Sequence, residues 1–456
     1  MKKIITVCLI VLSLASCKKI YVEVGDNSII SDNLTLSGTY KSNKVLTSGA
    51  TYLLDGLVYI DSGYSITIPA GTIITGKRGT NSTLVIKRGA KIFAEGTLDK
   101  PIVFTSSAVE GEKRLGDWGG LVILGRAKNN GSYNGVNGIM EIEGGINNAN
   151  GDGLHGGLND DDNSGILKYV RLEFGGYPFQ PDREINGLTL GSVGRGTVID
   201  YVQVSYANDD AFEFFGGTVN CKHLISFRNL DDDFDTDNGY RGKIQFAIAV
   251  RDTLIADQSA GGASNGFESD NDGSGTASQP FTAPVFSNVT LIGPVFNSTT
   301  TFATNFRRGV HIRRNSRLSL FNSVIMGWPS AGAGILIDGS TTETNAANND
   351  LEIANVSIAG CATALRVNSG SSFSINNWFN TTGKNNNILT SNDDLLLNSF
   401  YNYVGFNPSP KVGSPLIGST NYSNSKLTGF ENVNYRGAIG ANDNWWTGWT
   451  RFFNYK

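Results

Sequence analysis

The sequence is short of the residues that cross-link or metal-cluster a small fold. Of 456 residues, four are cysteine and three are histidine. His155, His223 and His311 are scattered and no Cys-x-x-Cys pair occurs, which excludes a zinc site at its usual ligand spacing. Cys221 and Cys361 are the cysteines beyond Cys8 and Cys17. Both fall on repeat positions inside the expected fold, so they read as separate buried thiols rather than a disulfide. Basic charge is not in excess, the net being −4, which argues against nucleic acid as a partner. Gly-rich stretches such as Gly191-Ser192-Val193-Gly194-Arg195-Gly196 lack the Lys-Ser/Thr and following helix of a phosphate loop.

Apolar runs long enough to span a bilayer, roughly 20 residues, are also missing. Ile4 to Leu14 is shorter, follows the basic Met1-Lys2-Lys3 and ends in Leu14-Ala15-Ser16-Cys17. That order is a secretory leader ending in a lipobox. The expectation is a signal peptide over 1–16 and lipidation of Cys17. An acylated N-terminus and tether then covers 17–44, anchoring the chain at the outer membrane on a face left open.

What the sequence has is glycine, 56 residues of it, and many short Val/Ile/Leu/Phe runs between Gly, Asn and Asp turns. The runs recur. Ile66-Thr67-Ile68, Leu84-Val85-Ile86, Ile102-Val103-Phe104 and Leu121-Val122-Ile123 follow at spacings of 18, 18 and 19. A second pattern spaces three inward residues by two and then one. It runs Leu167/Val170/Leu172, Ile199/Val202/Val204, Cys221/Leu224/Ser226, Phe286/Val289/Leu291, Phe321/Val324/Met326 and Ile353/Val356/Ile358. Each copy is followed by another short strand, such as Phe212-Glu213-Phe214, Phe234-Asp235-Thr236, Phe267-Glu268-Ser269 and Val310-His311-Ile312.

One such coil cannot bury its inward side chains alone. Stacking coils about 4.8 Å apart pairs the backbone and builds a continuous apolar column. The predicted fold is therefore all-β: a right-handed parallel β-helix, a single-stranded solenoid with capped ends, over 45–400. Residues 401–456 are expected as a C-terminal coil and aromatic cap carrying Trp445, Trp446 and Trp449.

Several motifs are similar to those of β-helix lipoproteins and secreted proteins of Bacteroidota with a pectin-lyase-like fold. They are Pro69-Ala70-Gly71-Thr72-Ile73-Ile74, Gly116-Asp117-Trp118-Gly119-Gly120, Asp210-Ala211-Phe212-Glu213-Phe214-Phe215-Gly216-Gly217 and Tyr435-Arg436-Gly437-Ala438 with Gly448-Trp449-Thr450. The resemblance implies fold and location, and it implies no single activity.

Alternation turns the middle residue of each short strand outward, so Glu213, Asp235 and Glu268 should lie on neighbouring coils with His311 beyond. Asp209 and Asp210, the run Asp231-Asp232-Asp233, Asp237 and Asp270-Asn271-Asp272 crowd the same stretch, and Asp210, Asp233, Asp237 and Asp270 join Glu213, Asp235 and Glu268 as expected ligands. Carboxylates packed this closely either hold protons or bind a cation. Oxygen donors suit a hard ion, most naturally Ca²⁺. Asp233-x-Asp235-x-Asp237-Asn238-Gly239 alternates acids, but its glycine falls one place late for an EF-hand loop. Solvated Asx turns are the competing reading.

Three functions follow: binding of an extended polymer, best a glycan, on a Ca²⁺-assisted face; polysaccharide lyase or glycoside hydrolase chemistry there; or an accessory lipoprotein docked on an outer-membrane transporter. The transporter contact would use inserts near Asn129–Asn163 and Asp257–Pro284. Catalytic candidates are Glu213, Asp235, Arg241, Lys243 and His311. In lyases of the resembled fold, Ca²⁺ neutralises a uronate carboxylate while Lys or Arg takes the α-proton; a hydrolase would use two carboxylates.

Overall fold

The computed structural model describes residues 34–180, 183–259, 262–329 and 331–454. The leader and Cys17 lie outside them. Among the described residues no helix is long and apolar enough to cross a membrane.

Twenty-six strands join in one parallel sheet wound into a right-handed β-helix. Three strand ladders make its faces, and each coil visits them in the same order. The first ladder includes Ser65–Pro69 and Lys91–Glu95, paired Ile66 to Ile92. The second includes Ile73–Gly76 and Ile102–Ser106, paired Ile74 to Phe104. The third includes Thr83–Ile86 and Gly120–Leu124, paired Leu84 to Leu121. The 18-residue spacings therefore step from one face to another and do not measure a coil. Ile66, Leu84 and Ile102 stand on three different ladders, and one coil of this region takes the 26 residues from Ile66 to Ile92.

From residue 165 onward the first two ladders become one bent strand per coil: Gly165–Glu173, Val198–Ser205, Asn220–Phe227, Lys243–Val250 and Val285–Ile292. The bend is a single left-handed residue, at Tyr169, Tyr201, His223, Phe246, Asn288, Asn322 and Asn355, with φ between 49° and 62°. Asn tolerates that region; Tyr, His and Phe do so rarely. Stacking offsets the cost, with ring centroids 4.4 Å apart for Tyr169–Tyr201, 4.2 Å for Tyr201–His223 and 5.2 Å for His223–Phe246. This single-residue corner is the physical source of the two-then-one spacing.

The triplet register holds for Ile199 with Cys221 and for Val202 with Leu224. It needs two corrections. A coil with Ile244, Ala247 and Ala249 inward lies between Cys221 and Phe286, hidden in the sequence by its small residues. Phe321/Val324/Met326 is also one residue out: Phe286 pairs with Leu320 and Leu291 with Ile325. Leu320 and Ile325 belong to the central column, whereas Val324 and Met326 belong to a second apolar cluster on the flank.

The column runs unbroken from Leu36 to Phe379. It begins with the strand Thr35–Tyr40, ahead of the boundary expected at residue 45. A short helix, Ile375–Phe379, closes the far end with all three of Ile375, Trp378 and Phe379 buried. The tryptophans near the C-terminus do not cap that end. The final segment runs back along the outer side of the second ladder, where Asn288 donates to Tyr435 O, Arg171 to Trp449 O and Gln203 to Arg451 O. Trp446 and Trp449 are buried in this strap, so they pack and offer no open sugar platform. Cys221 and Cys361 are free thiols.

Candidate metal centre

Two neighbouring coils carry nearly the same sequence into the third ladder: Asp209-Asp210-Ala211-Phe212-Glu213 and Asp231-Asp232-Asp233-Phe234-Asp235. Phe212 pairs with Phe234 and Glu213 with Asp235; Phe234 then pairs with Phe267 and Asp235 with Glu268. The phenyl rings stack inward, with centroids 5.5 Å and 5.2 Å apart. In-register stacking consequently lines the carboxylates up outside.

The turn before each strand adds a second line. Asp210 N donates to Asn186 Oδ1 at 3.2 Å and Asp232 N to Asp210 Oδ1 at 2.8 Å. Asn265 N donates to Asp232 Oδ1 at 2.5 Å and Arg308 N to Asn265 Oδ1 at 3.2 Å. Each Asx oxygen thus ties one coil to the next. Asn186 and Asn265 do this uncharged, so the ladder does not require carboxylates at 210 and 232. The competing reading of plain Asx turns explains one oxygen of each aspartate and leaves its charge unexplained.

Those charges converge. Three triads place one ligand oxygen each within 4.8 Å of one another: Asp209, Asp210 and Asp231; Asp210, Glu213 and Asp235; Asp232, Asp235 and Glu268. Asp210 and Asp235 are shared, so the triads form one strip. Burial, then repulsion by neighbouring acids, raises Asp210, Glu213 and Asp235 well above the usual carboxylate range. Burial and Glu268 push Asp232 up to about 7. Glu143, reaching in from the 129–163 insert, hydrogen-bonds to Glu213. Asn186 Nδ2 donates to both glutamates.

Asp235 Oδ1 and Asp231 Oδ1 are buried without a hydrogen-bond partner among the described residues. An unpaired buried carboxylate oxygen is costly unless a proton or a cation meets it. An all-oxygen donor set from carboxylates and nearby amides fits a hard metal ion.

Of the sequence-predicted ligands, Asp210, Glu213, Asp235 and Glu268 come together. Asp233 does not: it turns inward, where its Oδ1 meets Arg251 Nη1 at 3.1 Å and both side chains are wholly buried. Asp270 is occupied by Arg313 Nε at 2.7 Å and Arg314 Nη1 at 2.8 Å. Asp237 lies outside the triads and accepts from Asn238 N at 2.5 Å; burial and Asp270 push it to about 8.

Among the catalytic candidates, Arg241 is paired with Asp160 at 3.1 Å. Lys243 opens a first-ladder strand and donates to Thr428 O at 2.5 Å. Neither faces the strip. His311 does continue it, bridging Glu268 Oε2 at 3.3 Å and Asp338 Oδ2 at 3.0 Å. Burial opposes its protonation, but those two carboxylates prevail and raise its pKa. Two arginines stand beside the strip: Arg313 ion-pairs with Glu268 as well as Asp270, whereas Glu268, Asp338 and Asp232 all act on Arg308 yet among the described residues none forms an ion pair with it within 4 Å.

Glu143, Asn186, Asn265 and Asp338 were not anticipated. Asn186, Asp210, Asp232 and Asn265 each stand two residues before the first inward residue of a third-ladder strand, a spacing visible in the sequence. Glu143 sits in a non-repeating insert and left no such signal.

Residues 38–395 match the family model of the pectate-lyase-like β-helix domain, and the chain belongs to that family. No curated protein matches the chain.

Proposed function

We propose that this pectate-lyase-like β-helix protein binds an extended glycan along the outward side of its third ladder, with Ca²⁺ held by the acid strip. The supporting observation is the run of three triads sharing Asp210 and Asp235, on a ladder that neutral asparagine would hold equally well. Ca²⁺ takes six to eight oxygens in flexible geometry, as carboxylates and amides from stacked coils offer. A solenoid repeats its side chains about every 4.8 Å, which suits a ligand that is itself a repeat. The lipobox ending at Cys17 makes the working location the outer membrane, held by lipid.

The test is thermal unfolding of chelator-stripped protein titrated with Ca²⁺. Ca²⁺ at a hundredfold excess over Kd should stabilise by about 2.7 kcal/mol, and Asp235→Ala should abolish the rise. An unchanged melting temperature in the natural protein removes the metal from the account.

Cleavage of the same polymer is the second reading, favoured by Arg308. Burial lowers its pKa, and with no carboxylate in ion-pair reach among the described residues it is placed to take a proton from a bound sugar. The bound cation would supply neutralisation of a sugar carboxylate. Glu213, kept protonated, would instead serve hydrolysis as the acid. Polyuronates should then yield an unsaturated product absorbing in the ultraviolet, and Arg308→Ala should lower its rate at least a hundredfold. Absence of both product and new reducing ends across a substrate panel leaves binding alone.

A further inference from the structure

We infer that a second site, away from the acid strip, binds an oxyanion: the carboxylate or sulfate group of an acidic polymer. It is a cleft of about 640 Å³ at the turns that follow the third ladder, lined by Ser62, Lys87, Arg88, Arg126, Asn150 and Asn159 among others.

Its three cations differ in how they are satisfied. Lys87 is neutralised twice, by Asp61 at 2.6 Å and by Asp152. Arg88 and Arg126 have no carboxylate within 4 Å among the described residues. Arg88 Nη1 donates to Gly156 O at 3.3 Å, and Arg126 Nη2 to Ser62 Oγ at 3.3 Å. A guanidinium carries five N–H donors, so most of this pair's capacity is unspent. Other arginines near the same edge are engaged: Arg195 with Asp161, Arg241 with Asp160, and Arg313 and Arg314 with Asp270.

Arg126 also packs closely here: its guanidinium lies over the bare backbone of Gly89, where a Cβ would fall 2.0 Å from Nη2 and make the side chain shift. Gly89 has φ +87°, which independently favours glycine. Two planar forks with free donors, lining one cleft with the neutral amides of Asn150 and Asn159, match the geometry of a carboxylate or sulfate.

A few residues along the same segment from Arg126, a separate cleft is lined by Asn129, Asn130, Asn137 and Gln279 together with the carboxylate of Asp272. The glycan reading supplies only the length of the ligand; the oxyanion subsite stands without it.

The experiment titrates the full chain by calorimetry, in chelator throughout, with an oligoglucuronate, a sulfated oligosaccharide of equal length and a neutral glucan. At least one charged oligomer should bind and the neutral one should not; whichever charged arm binds more tightly identifies the group. The Arg88→Gln/Arg126→Gln double variant should weaken that binding at least tenfold, while Arg195→Gln, whose guanidinium is already paired with Asp161, leaves it unchanged. If the double variant unfolds, the exposed Arg126→Gln alone carries the same criterion at threefold. Equal binding of charged and neutral oligomers, or wild-type affinity in the arginine variants, overturns the proposal. Chelator keeps calcium out of the measurement, so failure of the calcium reading leaves this result standing.

Discussion

At the scale of single residues, the informative contrast is between Asn and Asp at one stacked position. Asn186 and Asn265 close the inter-coil ladder without charge, while Asp210 and Asp232 close it and carry charge into a buried strip. That charge has a cost with a definite sign. Folding raises the pKa of Asp232 to about 7 and that of Asp237 to about 8, against about 3.9 for an unfolded aspartate. Below pH 4 both states hold the proton and no penalty applies. Above it the unfolded chain ionises first, so the stability tied to the held protons falls as pH rises toward 8. In chelator the melting temperature should therefore decline from pH 4 to 8, and Asp232→Asn should flatten the decline. Excess Ca²⁺ should reverse it, because cation binding displaces the protons. A chelated protein whose stability rises across that range would contradict the buried-acid account.

Part of this strip was legible. The outward series Glu213, Asp235, Glu268 and His311 follows from alternation in four successive strands. What the sequence could not separate was Asp232 from Asp233. Adjacent in the chain, they point to opposite sides of the wall, and only the coil partner Arg251 decides which carboxylate is consumed inside. Asp270 was lost to the strip similarly, to Arg313 and Arg314 more than forty residues away.

Among elements, the coil is held by what its strands stack inward. Phe212, Phe234 and Phe267 occupy one line on three coils, and Phe286 meets Phe267 edge-on with centroids 4.6 Å apart. Removing a middle member leaves a cavity its neighbours cannot fill without breaking backbone register. Phe267→Ala should cost about 3–5 kcal/mol. The paired Glu268 is carried on the same strand, so the Ca²⁺ response should weaken with it. Chemical denaturation checks the first effect and a calcium titration the second; a loss under 1 kcal/mol would mean the stack is not the support inferred. The corner residues show where a pattern misleads. Tyr, His and Phe at a left-handed φ are unfavourable one by one and are stabilised only as a stack. Sequence around Phe321 fits either of two registers one residue apart, since every side chain there is buried. The strap over the second ladder, which receives Val324 and Met326, selects between them.

For the whole molecule, the solenoid converts a repeated short sequence into a line of charge along one face. The inserts bring in what repetition does not, namely Glu143 at the strip and Asn150 and Asn159 at the arginine cleft. The parallel β-helix was readable because its column is written once per coil; the flanking strap was not, because its partners lie as much as 341 residues away, as Arg451 does from Glu110. The central claim is that the strip on the third ladder is a cation site spanning adjacent coils. Crystals of the full chain soaked in Ca²⁺ and measured at long wavelength test it through anomalous scattering. The account predicts a peak enclosed by Asp210, Glu213 and Asp235 or by Asp232, Asp235 and Glu268. A strip without a peak, while the crystal takes up Ca²⁺ elsewhere, would contradict it.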